Sequence, residues 1–299
     1  MYRVEKISSL DGSSLAPYRT LRRAAEHVAQ GIFVAEGDKV VRRLLQSQFE
    51  VISVLLPEDR LEEFSPLLAA RPEAEIEVFA VTQKSVLEDL VGFEMFQGVL
   101  AVGRIPKAWT LEGLLTRRIE AGSGVLLAAV DGLTSAENIG LLVRNCAAFG
   151  VHGLVVGETS SSPYLRRAVR NSMGAIFQLP VVELGVAVGK SNAAHPHSHP
   201  DEKPEANGND RLAGALIGLR KMGVRCVAAH PHAMGKTLAD AKLSGDCCIV
   251  FGSEGNGLSR QVLEACDEAV AIPMADGVDS LNVAATAAVF FYEASRQRR

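Results

Sequence analysis

Short apolar runs alternate with helical patterns along most of this chain. After the first thirty residues, which we predict to be mostly helical, runs such as 51–57 and 125–130 consist almost entirely of apolar residues. Runs without a polar face are typical of parallel strands that are buried between helices. The pattern therefore predicts an α/β fold with a largely parallel sheet and argues against all-helical and all-β folds.

The alternation forms two successive series. We predict a first α/β domain over 1–107, a helical linker over 108–122 around Trp109, and a second domain over 123–299. A chain of 299 residues fits two domains, since domains commonly contain roughly 100–200 residues.

One segment, 189–210, interrupts the alternation with polar residues, Pro, Gly and Asn. It contains His195, His197 and His199, but no Cys or carboxylate cluster stands in ligand register with them. We therefore predict a mobile surface insert and expect no metal site.

Composition limits the partners and the compartment. Lys and Arg number 31 and Asp and Glu number 35, so any RNA contact must come from local basic patches and not from bulk positive charge. The N-terminus lacks the apolar core of a signal peptide, and no apolar run reaches the roughly 18–20 residues that span a bilayer. Five cysteines without a Cys-x-x-Cys pattern favour reduced, buried thiols. We expect a soluble, cytoplasmic protein without membrane contacts.

Two nucleotide-binding signatures are incomplete. The Gly-Lys-Thr at 235–237 has His230 where a phosphate loop requires glycine. The glycines at positions 252, 255 and 257 have the wrong spacing for a dinucleotide fingerprint. These departures argue against a phosphate-loop enzyme and against a nucleotide-dependent oxidoreductase.

An otherwise apolar helix carries polar residues near its start. Asn138 takes the position of an N-cap, Gly140 would allow another backbone to come close, and Arg144 follows one turn later. Taken alone, this helix is also explained by an arginine that extends its charge to solvent from a helix edge.

Two later strands end in small and polar residues. One runs into Gly-Ser-Glu-Gly at 252–255, where glycine permits a close approach. The other runs into Ile-Pro-Met at 272–274, after which Ser280 and Asn282 open a helix rich in alanine. A tight turn and a capped helix would explain each of them separately.

Together, the three segments resemble the SpoU (TrmH) family of RNA 2′-O-ribose methyltransferases, which belongs to the SPOUT class. The family's motifs are Asn-x-Gly-x-x-x-Arg, Gly-x-Glu-Gly-x-Gly and Ile-Pro-Met…Ser-Leu-Asn-Val. They stand here at Asn138, Gly140 and Arg144, at Gly252, Glu254, Gly255 and Gly257, and at Ile272, Pro273, Met274, Ser280, Leu281, Asn282 and Val283. The resemblance covers about 122–296, although Ser135-Ala136-Glu137-Asn138 replaces the usual Asp-Pro-x-Asn. A weaker resemblance, over 33–45, is to the ribosomal-protein-like substrate-binding domain that often precedes this family.

The resemblance implies a fold, a cofactor and a site. The fold is a C-terminal trefoil-knotted domain with a parallel sheet, preceded by a small α/β RNA-binding domain, in a homodimer. The cofactor is S-adenosylmethionine, held by Gly252, Ser253, Ile272, Met274, Leu281 and Asn282. The catalytic set is Arg144, Asn138, Glu254, Ser280 and Asn282. An arginine with a pKa above ~12 is better suited to orienting the ribose hydroxyl than to deprotonating it, but both roles stay open for Arg144.

Local basic residues are the candidate RNA contacts. They are Arg22, Arg23, Arg42, Arg43, Arg166, Arg167 and Arg170. The implied function is S-adenosylmethionine-dependent methylation of a ribose 2′-hydroxyl in ribosomal or transfer RNA. The alternative is a non-catalytic RNA-binding protein of the same fold, which cofactor binding would distinguish.

Overall fold

The computed structural model describes residues 2–83, 98–121, 124–185, 211–233 and 236–299. In chain order, its strands are β1 (Tyr2–Ile7), β2 (Ile32–Glu36), β3 (Val51–Pro57), β4 (Ile76–Val81), β5 (Leu100–Arg104), β6 (Leu126–Val130), β7 (Gly153–Val156), β8 (Val181–Glu183), β9 (Arg225–Ala229), β10 (Cys247–Phe251) and β11 (Glu268–Val270). Its α-helices are α1 (Ala16–Arg19), α2 (Ala24–Ala29), α3 (Asp38–Leu45), α4 (Leu61–Ala69), α5 (Leu111–Ala121), α6 (Ala136–Ala148), α7 (Arg166–Asn171), α8 (Arg211–Lys221), α9 (Arg260–Ala265) and α10 (Val283–Gln297).

The chain forms two compact units, each built on one sheet. The first comprises Met1–Ala108, Thr134–Val151 and Ser161–Pro180, and the second comprises Trp109–Leu133, His152–Ser160 and Val181–Arg299. Helices α6 and α7 therefore pack with the first sheet, although the sequence assigns them to the second domain. The predicted domain boundaries, 1–107, 108–122 and 123–299, stay a prediction.

The first unit contains a five-stranded sheet in the order β1-β4-β3-β5-β2. Strands β1, β3 and β4 run parallel, and β5 runs antiparallel to β2 and β3. The expectation of a mostly helical start is wrong for β1, an edge strand whose side chains are largely exposed. Backbone pairing with β4 holds β1 in the sheet, so this strand forms without a run of apolar residues. A prediction that rests on apolar runs therefore does not detect it.

The second unit contains a six-stranded, entirely parallel sheet in the order β11-β9-β10-β6-β7-β8. Helices α5, α8 and α9 cover one face, and α10 packs its Phe290 and Phe291 against Phe251 of β10. The predicted α/β class with a parallel sheet is confirmed. Before β8, residues from Ala175 form a 3-10 turn, and strand pairing begins only in β8.

The buried thiols agree with the cysteine pattern. Cys146, Cys226, Cys247 and Cys248 are buried and unpaired, and Cys266 is half-buried. Burial raises the pKa of the Cys146 and Cys247 thiols and raises that of Cys266 to about 12. Among the described residues, no helix has both the length and the apolar character needed to cross a membrane.

The predicted insert at 189–210, with its three histidines, lies outside the described residues. The chain on either side of the insert is anchored. Glu158 accepts hydrogen bonds from the backbone N–H groups of Arg211 (2.8 Å) and Leu212 (3.1 Å) at the start of α8, and Arg211 donates to the Leu184 carbonyl at 2.8 Å. Within the described ranges no group of three or more His, Cys, Asp and Glu side chains is arranged to hold a metal ion. The expected absence of a metal site stays a prediction.

Helices α6 and α7 touch backbone to backbone at Gly140. A Cβ atom at this position would lie 2.4 Å from the Ala168 carbonyl oxygen and 2.7 Å from Cβ of Asn171. Only glycine fits between the two helices, which confirms that Gly140 serves a close approach.

We expect Gly140→Ala to destabilise the protein by about 1–3 kcal/mol, because the new methyl group must displace a backbone carbonyl. The control is Gly214→Ala on α8, where a Cβ atom would meet nothing within 4 Å. That substitution removes a flexible residue from a helix and should be neutral or stabilise by up to about 1 kcal/mol. Thermal and urea unfolding measure both variants, and equal stabilities would contradict the packing argument.

Candidate functional site

A cleft opens in the second unit where β9, β10 and β11 end. Its volume is about 330 Å³. Apolar side chains line it, among them Phe251, Val270, Val283 and Phe290, and polar residues of the following loops form its rim. Ligands of parallel sheets bind outside the carboxyl ends of the strands, and apolar clefts with a few polar groups are typical small-molecule sites.

The loop after β10 folds back on itself tightly. A Cβ atom at Gly252 would lie 2.2 Å from the carbonyl carbon of Gly257 and 2.4 Å from the Leu258 nitrogen. Ser253 and Gly257 exchange two backbone hydrogen bonds of 3.0 Å, and Gly257 has a φ of +66°. Gly255 has open space around its Cα, so the close approach predicted for the glycines holds within the chain only at Gly252.

A hydrogen bond joins the second and third motifs. Asn282 Nδ2 donates to Glu254 Oε1 at 2.6 Å, while Asn282 Oδ1 accepts from the Ala284 N–H at 2.9 Å. Asn282 is therefore the N-cap of α10 and at the same time the anchor of the loop that carries Glu254.

The structure gathers most of the predicted cofactor residues and two of the catalytic candidates. The cleft is lined by Gly252, Ser253, Glu254, Ile272, Met274, Ser280 and Leu281. Asn282 is absent from the lining and reaches the site through Glu254. The N–H groups of Ile272 and Leu281 make no hydrogen bond to any described residue, which leaves two donors at the cleft.

Sequence reasoning missed the wall that follows β9. Ala229, His230, Pro231 and His232 line the cleft, and His232 donates its backbone N–H to Nδ1 of His230 at 3.2 Å. These residues belong to no motif of the resemblance. Their signal was their position, since the end of a parallel strand next to β10 must open at the same edge of the sheet.

The first-motif residues lie on α6 in the first unit. The prediction that Asn138 is the N-cap is wrong, because Ser135 Oγ accepts the Asn138 N–H and caps α6. Asn138 is instead buried in the first turn of the helix. Arg144 is exposed, and its guanidinium makes no hydrogen bond or ion pair with any described residue.

The seven arginines predicted to contact RNA have different surroundings. Arg22, Arg23, Arg167 and Arg170 are exposed. Arg42 donates to Asp38 at 2.9 Å and lies over the Phe64 ring at 4.4 Å. Burial raises the pKa of Asp38, but hydrogen bonds from Arg42 and Arg60 outweigh it and hold that pKa below its usual value.

Arg43 donates to the Met173 carbonyl at 2.5 Å, and Arg166 pairs with the buried Glu36. Arg42 and Arg166 are thus largely engaged within the chain. The RNA-binding role of all seven arginines stays a prediction.

Comparison with known proteins places the chain. It matches the SpoU rRNA Methylase family over residues 126–193 and 186–292. A protein of Mycobacterium tuberculosis, named as an uncharacterized tRNA/rRNA methyltransferase, is 30% identical over 98% of this chain and 92% of its own length. The SpoU methyltransferase AviRb of Streptomyces viridochromogenes, solved with AdoMet, matches with a TM-score of 0.73 at 24% identity, over 95% of this chain and 98% of that one. An RNA 2′-O ribose methyltransferase structure matches with a TM-score of 0.70 at 27% identity, over 98% and 99% of the two chains.

A cleft at the carboxyl edge of the parallel sheet is typical of α/β proteins that bind small molecules. Within that class, the chain belongs to the SpoU rRNA methylase family. The resemblance drawn from the three motifs is confirmed, and the AviRb structure supports the fold.

We expect Gly252→Ala to disrupt the loop after β10 at a cost of about 1–3 kcal/mol, because its methyl group would overlap the Gly257–Leu258 peptide. Hydrogen exchange of the Ser253 and Gly257 amides should speed up, since these amides pair across the loop. Gly255→Ala is the control and should change the stability by less than about 0.5 kcal/mol. Unchanged amide protection in Gly252→Ala would contradict this account of the loop.

Proposed function

We propose that this protein transfers a methyl group from S-adenosylmethionine to a ribose 2′-hydroxyl of RNA. The observation that carries the proposal is the single cleft lined by residues of both the second and the third motif. The proposed substrate class is supported by the names of the relatives, which are tRNA/rRNA methyltransferase and RNA 2′-O ribose methyltransferase. The proposed setting is the cytoplasm, with ribosomal or transfer RNA as substrate.

The lining of the cleft suits the proposed cofactor in its chemistry. Phe251, Val270 and Phe290 offer an apolar floor for an adenosyl group, and the free N–H groups of Ile272 and Leu281 offer donors to it. AviRb, which shares the fold, was solved with AdoMet. When bound, S-adenosylmethionine supplies an electrophilic methyl group, and the protein supplies placement.

The residues of this chain have separate tasks in the proposal. The hydrogen bond between Asn282 and Glu254 fixes the two loops that would hold the cofactor. Arg144 offers a planar fork of donors that no described residue occupies, which suits it to bind a phosphate next to the target ribose and to orient the hydroxyl. Asn138, in the first turn of the same helix, would support that geometry.

Further features of the SPOUT class belong to the proposal. After β10 the chain crosses to β11 beyond β9, and α10 returns to pack on Phe251, a path that supports a C-terminal trefoil knot. Val289 and Tyr292 of α10 are 40% and 60% exposed, which supports a homodimer contact through this helix. The first unit, with its exposed arginines, is the proposed RNA-binding part.

The alternative is an RNA-binding protein of the same fold without methyl transfer. Such a protein has no need of a donor-lined cleft, so cofactor binding separates the two.

We expect isothermal titration calorimetry to detect S-adenosylmethionine binding and Leu281→Asp to abolish it, because a carboxylate at the cleft would face an apolar ligand surface and lose hydration. Val278→Asp is the control, since Val278 is 48% exposed and does not line the cleft. Circular dichroism confirms that each variant is folded. A folded wild-type protein that binds no S-adenosylmethionine would overturn the proposal.

Arg144→Ala should keep the fold and the cofactor affinity and lose methyl transfer by more than about a hundredfold, because misplacing a reacting group by 1 Å alone costs roughly that much. Arg144→Lys should recover little, since a point charge does not reproduce the planar fork. The assay follows labelled methyl transfer to total RNA from cells lacking this gene.

Arg260→Ala is the matched control, because the Arg260 side chain is 88% exposed and, among the described residues, pairs only with its helix neighbour Glu264. It should methylate at the wild-type rate. Near-normal turnover by Arg144→Ala at saturating cofactor would remove Arg144 from the catalytic set.

A further inference from the structure

The end of β2 carries a buried carboxylate that the proposed reaction does not use. Glu36 is 5% exposed. Its Oε2 accepts a hydrogen bond from Arg166 Nη1, and its Oε1 accepts one from Arg170 Nη1 at 2.7 Å. Both arginines lie on α7, so one carboxylate holds two successive turns of that helix.

The ion pairs of Glu36 with Arg166 and Arg170 compensate for the burial of its carboxylate. A buried charge is costly unless it is paired and hydrogen-bonded, so Glu36 requires both guanidinium groups. Arg166 is itself largely enclosed, with a side chain 17% exposed and an Nε that has no acceptor in the described part of the chain. The Arg170 side chain is 61% exposed. Glu36 therefore fixes one edge of the Arg170 guanidinium and leaves the rest of it open to solvent.

Two further contacts hold the turn that follows α7, one from α3 and one from the first sheet. Arg43 donates to the Met173 carbonyl at 2.5 Å. Phe33 of β2 packs against Phe177 with ring centroids 5.6 Å apart. The position of α7 is therefore set by the sheet and not only by its neighbours along the chain.

Helix α7 in turn sets the position of α6. Gly140 of α6 lies against the Ala168 carbonyl with no room for a methyl group, and Arg167 pairs with Glu137 at 3.4 Å. Arg144 lies one turn beyond Gly140. A continuous series of contacts thus leads from Glu36 through α7 to the helix that carries Arg144, all within one compact unit.

We infer that Glu36 is a positioning residue for RNA. It orients Arg170 toward an RNA phosphate and keeps α6 in register with the first sheet, so that RNA held by this unit presents its ribose to Arg144. This inference rests on the proposed function. A carboxylate in this role acts without touching the RNA, through guanidinium groups that do.

The test compares Glu36→Gln with Glu50→Gln in the full chain. Glu50 lies in the same unit, but its side chain is 51% exposed and pairs with the exposed Arg104. At saturating S-adenosylmethionine, Glu36→Gln should lower the single-turnover methylation of total RNA from gene-deleted cells by about tenfold or more per folded molecule, a loss that misplacement well below 1 Å can produce. S-adenosylmethionine affinity should stay unchanged, and Glu50→Gln should match the wild type.

A second variant keeps the test decisive if Glu36→Gln alone does not fold. Glu36→Gln combined with Arg166→Gln removes both buried charges, leaves a neutral amide pair and should fold. It should show the same loss of methylation, because Arg170 has lost its ionic anchor.

The salt dependence of RNA binding separates positioning from plain stabilisation. The slope of log K against log salt concentration is negative, and loss of one phosphate contact decreases its magnitude by about 0.7–0.9. We expect that decrease in both Glu36 variants and in Arg170→Gln, and no further decrease when Glu36→Gln is added to Arg170→Gln. If Glu36 had only a structural role, the Glu36 variants would lower the melting temperature, and the folded protein would keep the wild-type salt dependence of RNA binding.

The outcomes distinguish this inference from the proposed function. Wild-type rate and slope in both Glu36 variants would overturn the positioning role while methyl transfer by the wild type stands. If the wild-type protein transferred no methyl group, the proposed function would fail, and the salt slope would still decide whether Glu36 positions Arg170.

Discussion

The carboxyl end of β10 leaves no space for a side chain. At Gly252 the returning peptide of Gly257 and Leu258 comes so near that a single methyl group would overlap it. The two backbone hydrogen bonds between Ser253 and Gly257 depend on that approach, and the turn they close presents Glu254 to Asn282. The turn that forms one wall of the cleft and carries Glu254 to Asn282 therefore depends on one glycine at the end of one buried strand.

The first unit uses the same device between helices. Gly140 brings α6 against the backbone of α7, so the two helices are in direct backbone contact. The charge pairs of α7 then fasten this helix to the first sheet through Glu36. In both units a glycine allows the close approach of two backbones, and a hydrogen-bonded polar side chain, Glu36 in the first unit and Asn282 in the second, holds the adjoining element.

Much of this architecture could be predicted from the sequence because buried parallel strands have a strong pattern of their own. The strands β2 to β7, β9 and β10 and the cleft residues from Gly252 to Leu281 follow from apolar runs and from motifs at their ends. The misses share a physical cause. Strand β1 is held by pairing with β4, the N-cap of α6 fell three residues earlier at Ser135, and the Glu36 pair joins residues 130 and 134 positions apart. Neighbour patterns carry no information about partners that only the tertiary fold brings together.

Because the thiols are buried, their chemical labelling can measure local opening of the folded protein. Alkylating reagents react with the thiolate, which is the nucleophile, and burial both raises the pKa of Cys146 and Cys247 and shields their sulfur atoms. Cys247 and Cys248 lie in β10, Cys226 lies in its neighbour β9, and all three are buried, so reagent reaches them only when the elements packed over the sheet open. The rate of labelling at these sulfurs therefore measures how often this core opens. A fluorescent probe would react selectively with a newly introduced surface cysteine, because the buried native thiols are shielded.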